Sequence, residues 1–380
     1  MISARRLRLL TVAMSLLPCA CAGSYRFDNT RPIDQAAEDV IQLRWQAKLA
    51  EHGIFDFRPQ EFASAAIDAK HGRVFVGSTA REFVAFRYDG KQLWRFKTGG
   101  AVSSEPLYDA KRDTVYFGAD DGKMYALDAT SGKARWSYTT QGTINRRPTL
   151  AGERLVFTSS EDRIYCLMAS SGTWRWQYDR ETPEGFTIQG YAGVLVRRGV
   201  AFTGFSDGVF VAMKVASGEV IWTRRLTGGK SRFVDINATP VWVEPGLVLT
   251  ASYASGVYAL VPDSGTIAWH VPVEGASTVV AAGSRLYVSA PRVGLIALDL
   301  RGRQLWRQAI AKGVPSRPIV SGNYVMVSGT ASGLFIASAT DGRLLQYFDP
   351  GHGISAPPAI GGGLVAVVSN VGRLFTFTLR

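Results

Sequence analysis

An all-β fold, an eight-bladed β-propeller whose ring is closed by its N-terminal strand, is what this sequence predicts, and three observations carry the prediction. Six times a glycine is followed four residues later by a tryptophan: Gly90/Trp94, Gly132/Trp136, Gly172/Trp176, Gly218/Trp222, Gly265/Trp269 and Gly302/Trp306. A small residue precedes each glycine by five or six positions: Ala85, Ala126, Cys166, Ala212, Ala259 and Ala297. The pairs recur about every 40 residues, a period that marks a repeat architecture built of one supersecondary unit.

Each copy reads as strand, turn, strand. In DGKMYALDATSGKARW (121–136), SDGVFVAMKVASGEVIW (206–222) and SGVYALVPDSGTIAW (255–269), apolar and small residues alternate with period two, as in half-buried strands. The glycine that follows tolerates the positive φ of a tight hairpin. The tryptophan then falls at a fixed place in the next strand, where its large apolar body suits the space between two packed sheets. Upstream lies a further apolar run, such as TVYFGA (114–119), RLVFTSS (154–160), LVLTASY (247–253) or RLYVSA (285–290). Ahead of several such runs stands a proline, at Pro106, Pro148, Pro240, Pro318 and Pro357. Lacking a donor, proline fits the first residue or the edge of a strand. About four strands per repeat is the pattern of a propeller blade.

Two irregularities fix the count. A seventh copy, SGLFIASATDGRLLQ (332–346), keeps Ala337 and Gly342 but has Gln346 in the tryptophan position, and a last copy, GLVAVVSNVGRLFTFTLR (363–380), stops before its outermost strand. Trp45, in LRWQAKL (43–49), has no repeat core ahead of it. The N-terminal strand therefore completes the last blade, giving eight blades and leaving no free sheet edge at the closure.

The remaining chain bounds location and chemistry. Arg5, Arg6 and Arg8 precede the apolar run LLTVAMSLLP (9–18) and the small residues CACAG (19–23), the layout of a secretory signal. We expect a signal over 1–20, a tether over 21–40 and the propeller over 41–380. Cys21 is the expected lipidation site, with Leu17 and Ala20 ahead of it; ordinary cleavage after Ala22 is the alternative. Inside the propeller no apolar stretch reaches the roughly 18 residues that span a bilayer. Cys166 sits at an alanine position of the repeat and reads as a small buried residue. The formal net charge is +12, but Lys and Arg are scattered through the blades, which suits solubility better than an acidic partner or membrane headgroups; no nucleic-acid partner is expected.

Catalytic patterns are not found. The four histidines, His52, His71, His270 and His352, are not spaced as a ligand pair, and no phosphate loop or nucleophile elbow occurs. GADDGK (118–123) lacks the length and terminal glutamate of a calcium loop and reads as a hairpin. Neither a cofactor nor enzymatic activity is expected.

The alanine-leucine-aspartate core with its glycine and tryptophan resembles the repeats of pyrroloquinoline quinone (PQQ) dehydrogenases. That resemblance implies, as one alternative, a periplasmic quinoprotein, although the adjacent cysteines of those enzymes are absent; a free-standing ligand-binding propeller is another. Nearly the whole chain past the leader is similar to the family of the outer-membrane protein assembly factor BamB. The similarity lies in a leader with cysteine, a short tether, an eight-bladed ring, a tryptophan lost before the final half blade, and the segment 231–269 with its Asp-x-Asp-like loop and Thr-Pro. It implies a non-catalytic lipoprotein on the periplasmic face of the outer membrane, a monomer within a hetero-complex, whose interblade loops dock the POTRA domains of BamA, the barrel-forming subunit. In the family one loop carries Leu-x-Leu-Arg, which maps onto GFTIQG (185–190). Phe186 and Ile188 then stand at the leucines and Gln189 at the arginine. The other carries Asp-x-Asp, with Asp235 and Asn237 at its two acids. Interblade packing for Phe186 and Ile188, and a turn-stabilising hydrogen bond for Asp235, are the structural alternatives.

Overall fold

A computed structural model describes residues 26–27, 38–51, 60–180, 191–226, 234–310 and 312–380. Its strands form eight antiparallel sheets, each of four strands in simple up-and-down order, with a fifth strand on one of them. Blade 1 runs outward from the axis through Ala65–Asp68, Arg73–Ser78, Glu82–Arg87 and Gln92–Lys97. Blades 2 to 7 repeat this, with innermost strands at Leu107–Asp109, Thr149–Ala151, Leu195–Arg197, Val241–Val243, Thr278–Ala282 and Ile319–Ser321. Blade 8 is made of Ala359–Gly361, Leu364–Ser369 and Arg373–Leu379, completed on its outer edge by Ile41–Lys48. The expected closure by the N-terminal strand is thus present, with Ile41 opposite Leu379 and Lys48 opposite Arg373. Arg26–Phe27 pairs with Phe348 and Asp349 on the outer edge of blade 7.

Burial follows position in the blade. Second strands such as RVFVGS and LVAVVS are buried throughout because sheets cover both of their faces, whereas outer strands such as QLWRFK alternate. The core is divided accordingly. Eight apolar clusters each join two neighbouring blades, one per interface around the ring, so each repeat is stabilised chiefly by its neighbours.

The repeat signature has a direct physical cause. Within a blade the small residue and the tryptophan are cross-strand partners, as in Ala85↔Trp94, Cys166↔Trp176 and Ala297↔Trp306, each beside a bulge. Between blades, the tryptophan reaches onto the hairpin glycine of the next. Trp176 lies against Gly218, where an added Cβ would come within 2.7 Å of the ring and the backbone φ is +77°; only glycine meets both demands. Each indole N–H also donates to a carbonyl of that next blade, for example Trp94 to Ala129 at 3.0 Å and Trp306 to Ala339 at 3.2 Å. Trp45 does the same across the closure, donating to Tyr88 at 2.7 Å.

Blade 7 shows why one tryptophan is missing. No hairpin joins the last two strands of blade 8, because they come from opposite ends of the chain, so no hairpin glycine awaits an indole there. Gln346 instead binds the incoming N-terminal strand: its Oε1 accepts from the N–H groups of Val40 (2.9 Å) and Ile41 (2.8 Å), and its Nε2 donates to the Ile41 carbonyl (3.1 Å). The residue opposite Gln346 is Ile336, not the expected Ala337, because the bulge falls between those two residues, one position earlier than pairing through Ala337 would need. A larger partner there offsets a smaller side chain than tryptophan. The innermost strands start one residue after Pro106, Pro148, Pro240 and Pro318, and in blade 8 after Pro358 in place of Pro357.

Cys166 is buried against Trp176, and burial pushes its thiol up to about 11. It is a packing residue with little thiolate at neutral pH.

Candidate functional site

The interblade connections run from each outermost strand to the next innermost strand, and their described inner ends lie together around the axis. Their inner ends line a channel mouth of about 620 Å³. The prolines place much of this lining. A residue before proline is held extended, and Glu105, Arg147, Thr239 and Arg317, each preceding one, face the cavity with Arg146, Tyr191, Asn237 and Thr278.

The charges here are mostly basic. Arg317 pairs with Glu105, and Arg147 approaches the same carboxylate at 3.7 Å. Arg146 donates from Nε to the Tyr191 carbonyl at 2.8 Å and lies over the Tyr191 ring at 5.6 Å. Burial pulls Arg146 below its ordinary value, with the neighbouring Arg317 cation acting in the same direction. Burial likewise pushes Asp120 up, against a hydrogen bond from Ser103. Tyr191 is raised by burial as well.

Beside the mouth, between blades 3 and 5, lies an acidic group. Asp162 accepts from the Ser206 amide at 3.1 Å and from its hydroxyl. Burial raises Asp162, and Asp207 and Asp235 add like-charge repulsion. Asp207 is bound by Arg180, the last described residue before the 181–190 connection.

The expected partner-binding residues divide as follows. Phe186, Ile188 and Gln189 lie outside the described residues. Asp235 is 1% exposed, and its backbone carbonyl receives the Tyr253 N–H at 3.4 Å. Its carboxylate is therefore buried and does not present an open charge at the surface. Asn237 lies on the channel wall. Tyr191, directly after the first loop, and Asn237 and Thr239, in and after the second, border the same cavity, so both loops lead onto one mouth. Sequence reasoning missed the channel arginines; their signal was the pre-proline position in blades 3 and 7.

On the opposite face, Asp68, His71 and Asp113 bring potential ligand atoms together. Arg73 occupies the middle of that group: its Nε donates to Asp68 at 2.8 Å, and its terminal nitrogens bind Asp113 and Thr130 of blade 2. The guanidinium supplies the cation, and the group is an interblade ion-pair network.

Comparison with known proteins fits this ring. The family model described as outer membrane protein assembly factor BamB matches residues 110–301 and 254–378. The outer membrane protein assembly factor BamB of Yersinia pestis is 26% identical over 306 residues, covering 76% of this chain and 77% of that protein. Among solved structures, BamB from Moraxella catarrhalis superposes with a TM-score of 0.75 at 19% identity, over 90% of this chain and all (100%) of that one. Quinohemoprotein alcohol dehydrogenase from Comamonas testosteroni gives a TM-score of 0.69 at 15% identity, over 90% of this chain and 76% of that one. Likeness at such identities speaks for the ring architecture alone.

Proposed function

We propose that this chain, which belongs to the family of the outer membrane protein assembly factor BamB, acts as a non-catalytic scaffold that docks the POTRA domains of BamA, held to the periplasmic face of the outer membrane by a lipid on Cys21. The family assignment makes it an outer-membrane assembly factor. What supports the finer reading is that Tyr191, just after the first connection, and Asn237 and Thr239, at the end of the second, border one mouth of a closed ring. Such a ring presents loops with little ordering cost on binding, and an apolar pair flanked by polar groups suits a small specific interface. Lipid anchoring would raise the effective concentration of membrane-embedded partners. Phe186 and Ile188 are the apolar pair and Gln189 a flanking polar group; Asp235 and Asn237 follow the second loop at its base.

The test is co-purification of the full chain with BamA. Changing Phe186 and Ile188 together to alanine should weaken the complex by about 2 kcal/mol or more, roughly thirtyfold in Kd, as truncation of an anchor does. The melting temperature should stay near that of the wild type. Unchanged co-purification would reject these residues as the docking site, and a large fall in melting temperature would assign them to interblade packing. Asp235 is unsuited to this test, because a substitution at so buried a position disturbs the fold.

Anchoring is tested separately. Replacing Cys21 by serine should move the protein from the membrane fraction to the soluble periplasmic fraction. A wild-type protein already soluble, with Gly23 as its first residue, would overturn the anchor.

A further inference from the structure

The channel mouth holds more hydrogen-bonding capacity than its own side chains use. Three buried polar atoms on its wall, Asn237 Oδ1, Thr278 Oγ1 and Ser355 Oγ, have no hydrogen-bond partner among the described residues. Ser355 is only 8% exposed, and native proteins leave few such atoms unmet. Arg146 is the second observation. Among the described residues no carboxylate lies within ion-pair distance of it, and its only hydrogen bond runs from Nε to the Tyr191 carbonyl. The forked terminal nitrogens are left for something else, while stacking on Tyr191 fixes the plane of the guanidinium. The other charges on the wall do not neutralise it. Glu105 is shared by Arg147 and Arg317, and Asp120 is bound by Ser103.

The unused groups are thus an arginine fork, two hydroxyl donors and one amide oxygen, which can only accept. A guanidinium matches the paired oxygens of a carboxylate or phosphate, and the hydroxyls can donate to the same anion. A cavity of about 620 Å³ falls within the range that holds small organic ligands. We propose that the channel mouth binds a small anion bearing two or more carboxylate or phosphate acid groups, seated on Arg146 with the Thr278 and Ser355 hydroxyls completing its hydrogen bonds. The site does not depend on the docking reading, and it needs no reaction.

Titration calorimetry on the purified full chain at low ionic strength tests it, with citrate, inorganic phosphate and glucose as probes. Citrate should bind saturably and glucose should not. Arg146→Gln should weaken citrate at least tenfold. Phosphate binding with the same dependence on Arg146 would support the site and place its ligand among phosphates. The double variant Thr278→Val, Ser355→Ala removes two hydroxyls that bond to nothing among the described residues. It should keep or raise the melting temperature while weakening citrate several-fold. Failure of both citrate and phosphate to bind saturably overturns the proposal, as does glucose binding as well as citrate, or wild-type affinity in Arg146→Gln. Should that variant not fold, wild-type affinity in the Thr278/Ser355 variant overturns it alone.

Discussion

Replacing Gln346 by leucine is expected to open the ring. The substitution keeps the side chain's bulk but removes both the acceptor that holds the Val40 and Ile41 amides and the donor to the Ile41 carbonyl. At 2% exposure the site admits little water to replace them. Each stranded backbone group costs about 1–3 kcal/mol, so the variant should lose about 3 kcal/mol or more. Because the damage lies at the closure, hydrogen exchange should accelerate first in Ile41–Lys48 and Arg373–Leu379. Denaturant titration with peptide-resolved exchange measures both. Gln346→Trp should not rescue stability even though it restores the repeat pattern, since no hairpin glycine lies opposite. A leucine variant with wild-type stability would show that the N-terminal strand is held by its ladder alone.

Arg73→Met should have an effect of similar size with an unusual pH dependence. Burial disfavours the Asp68 and Asp113 carboxylates, but hydrogen bonds from Arg73, with those from His71 to Asp68 and from Thr130 and Tyr108 to Asp113, outweigh it and hold both below the ordinary value. Tyr108 is pushed up to about 12, by burial first and then by its bond to Asp113. For groups depressed in the folded state, the stabilisation is fully present above the ordinary carboxylate pKa near 4 and is lost as pH falls through the lowered values. Methionine keeps much of the stem but leaves Asp68, whose side chain is 2% exposed, without its main counter-charge. Removing one partner of a buried pair costs about 3–5 kcal/mol. Burial then acts on Asp68 with less opposition, so its folded-state pKa rises and protonation favours the folded variant. The deficit against wild type should be largest near neutral pH and shrink as pH falls through the ordinary carboxylate range. Urea titrations at pH 7 and pH 4 check this; a deficit that grows on acidification would contradict the assigned network.

Most of the ring was legible because its rule is local. A glycine four residues before a tryptophan fixes a hairpin, and the same pair fixes the neighbouring interface, so one motif reports two levels of structure. Trp45 revealed the closure because a tryptophan without its repeat core needed an external partner strand. What stayed hidden depends on contacts far apart in sequence. Gln346 read as a lapse in the pattern until the strand it binds, some 305 residues away, was in place. The register at Ile336 turned on a bulge that a spacing of five or six cannot locate. Asp235 in a loop looks the same in sequence whether it points outward or, as found, is buried. The channel arginines were dispersed through an evenly charged chain, and only the axis brings Arg146, Arg147 and Arg317 together.

The closure also imposes an order of events. A ribosome makes Ile41–Lys48 long before Arg373–Leu379, yet they are neighbours in one sheet. Until Arg373–Leu379 arrives, the early strand has nowhere to pair, and seven nascent blades form an open arc with a bare apolar face at either end. Joining ends so distant carries a loop-entropy cost, though one that grows only slowly with length, and long-range pairing of this kind is slow and exposed to misassociation. The vulnerable species is therefore a chain that has not yet been extended through Arg373–Leu379. Damage to that strand should be felt at Trp45 and the start of blade 1, more than 300 residues earlier.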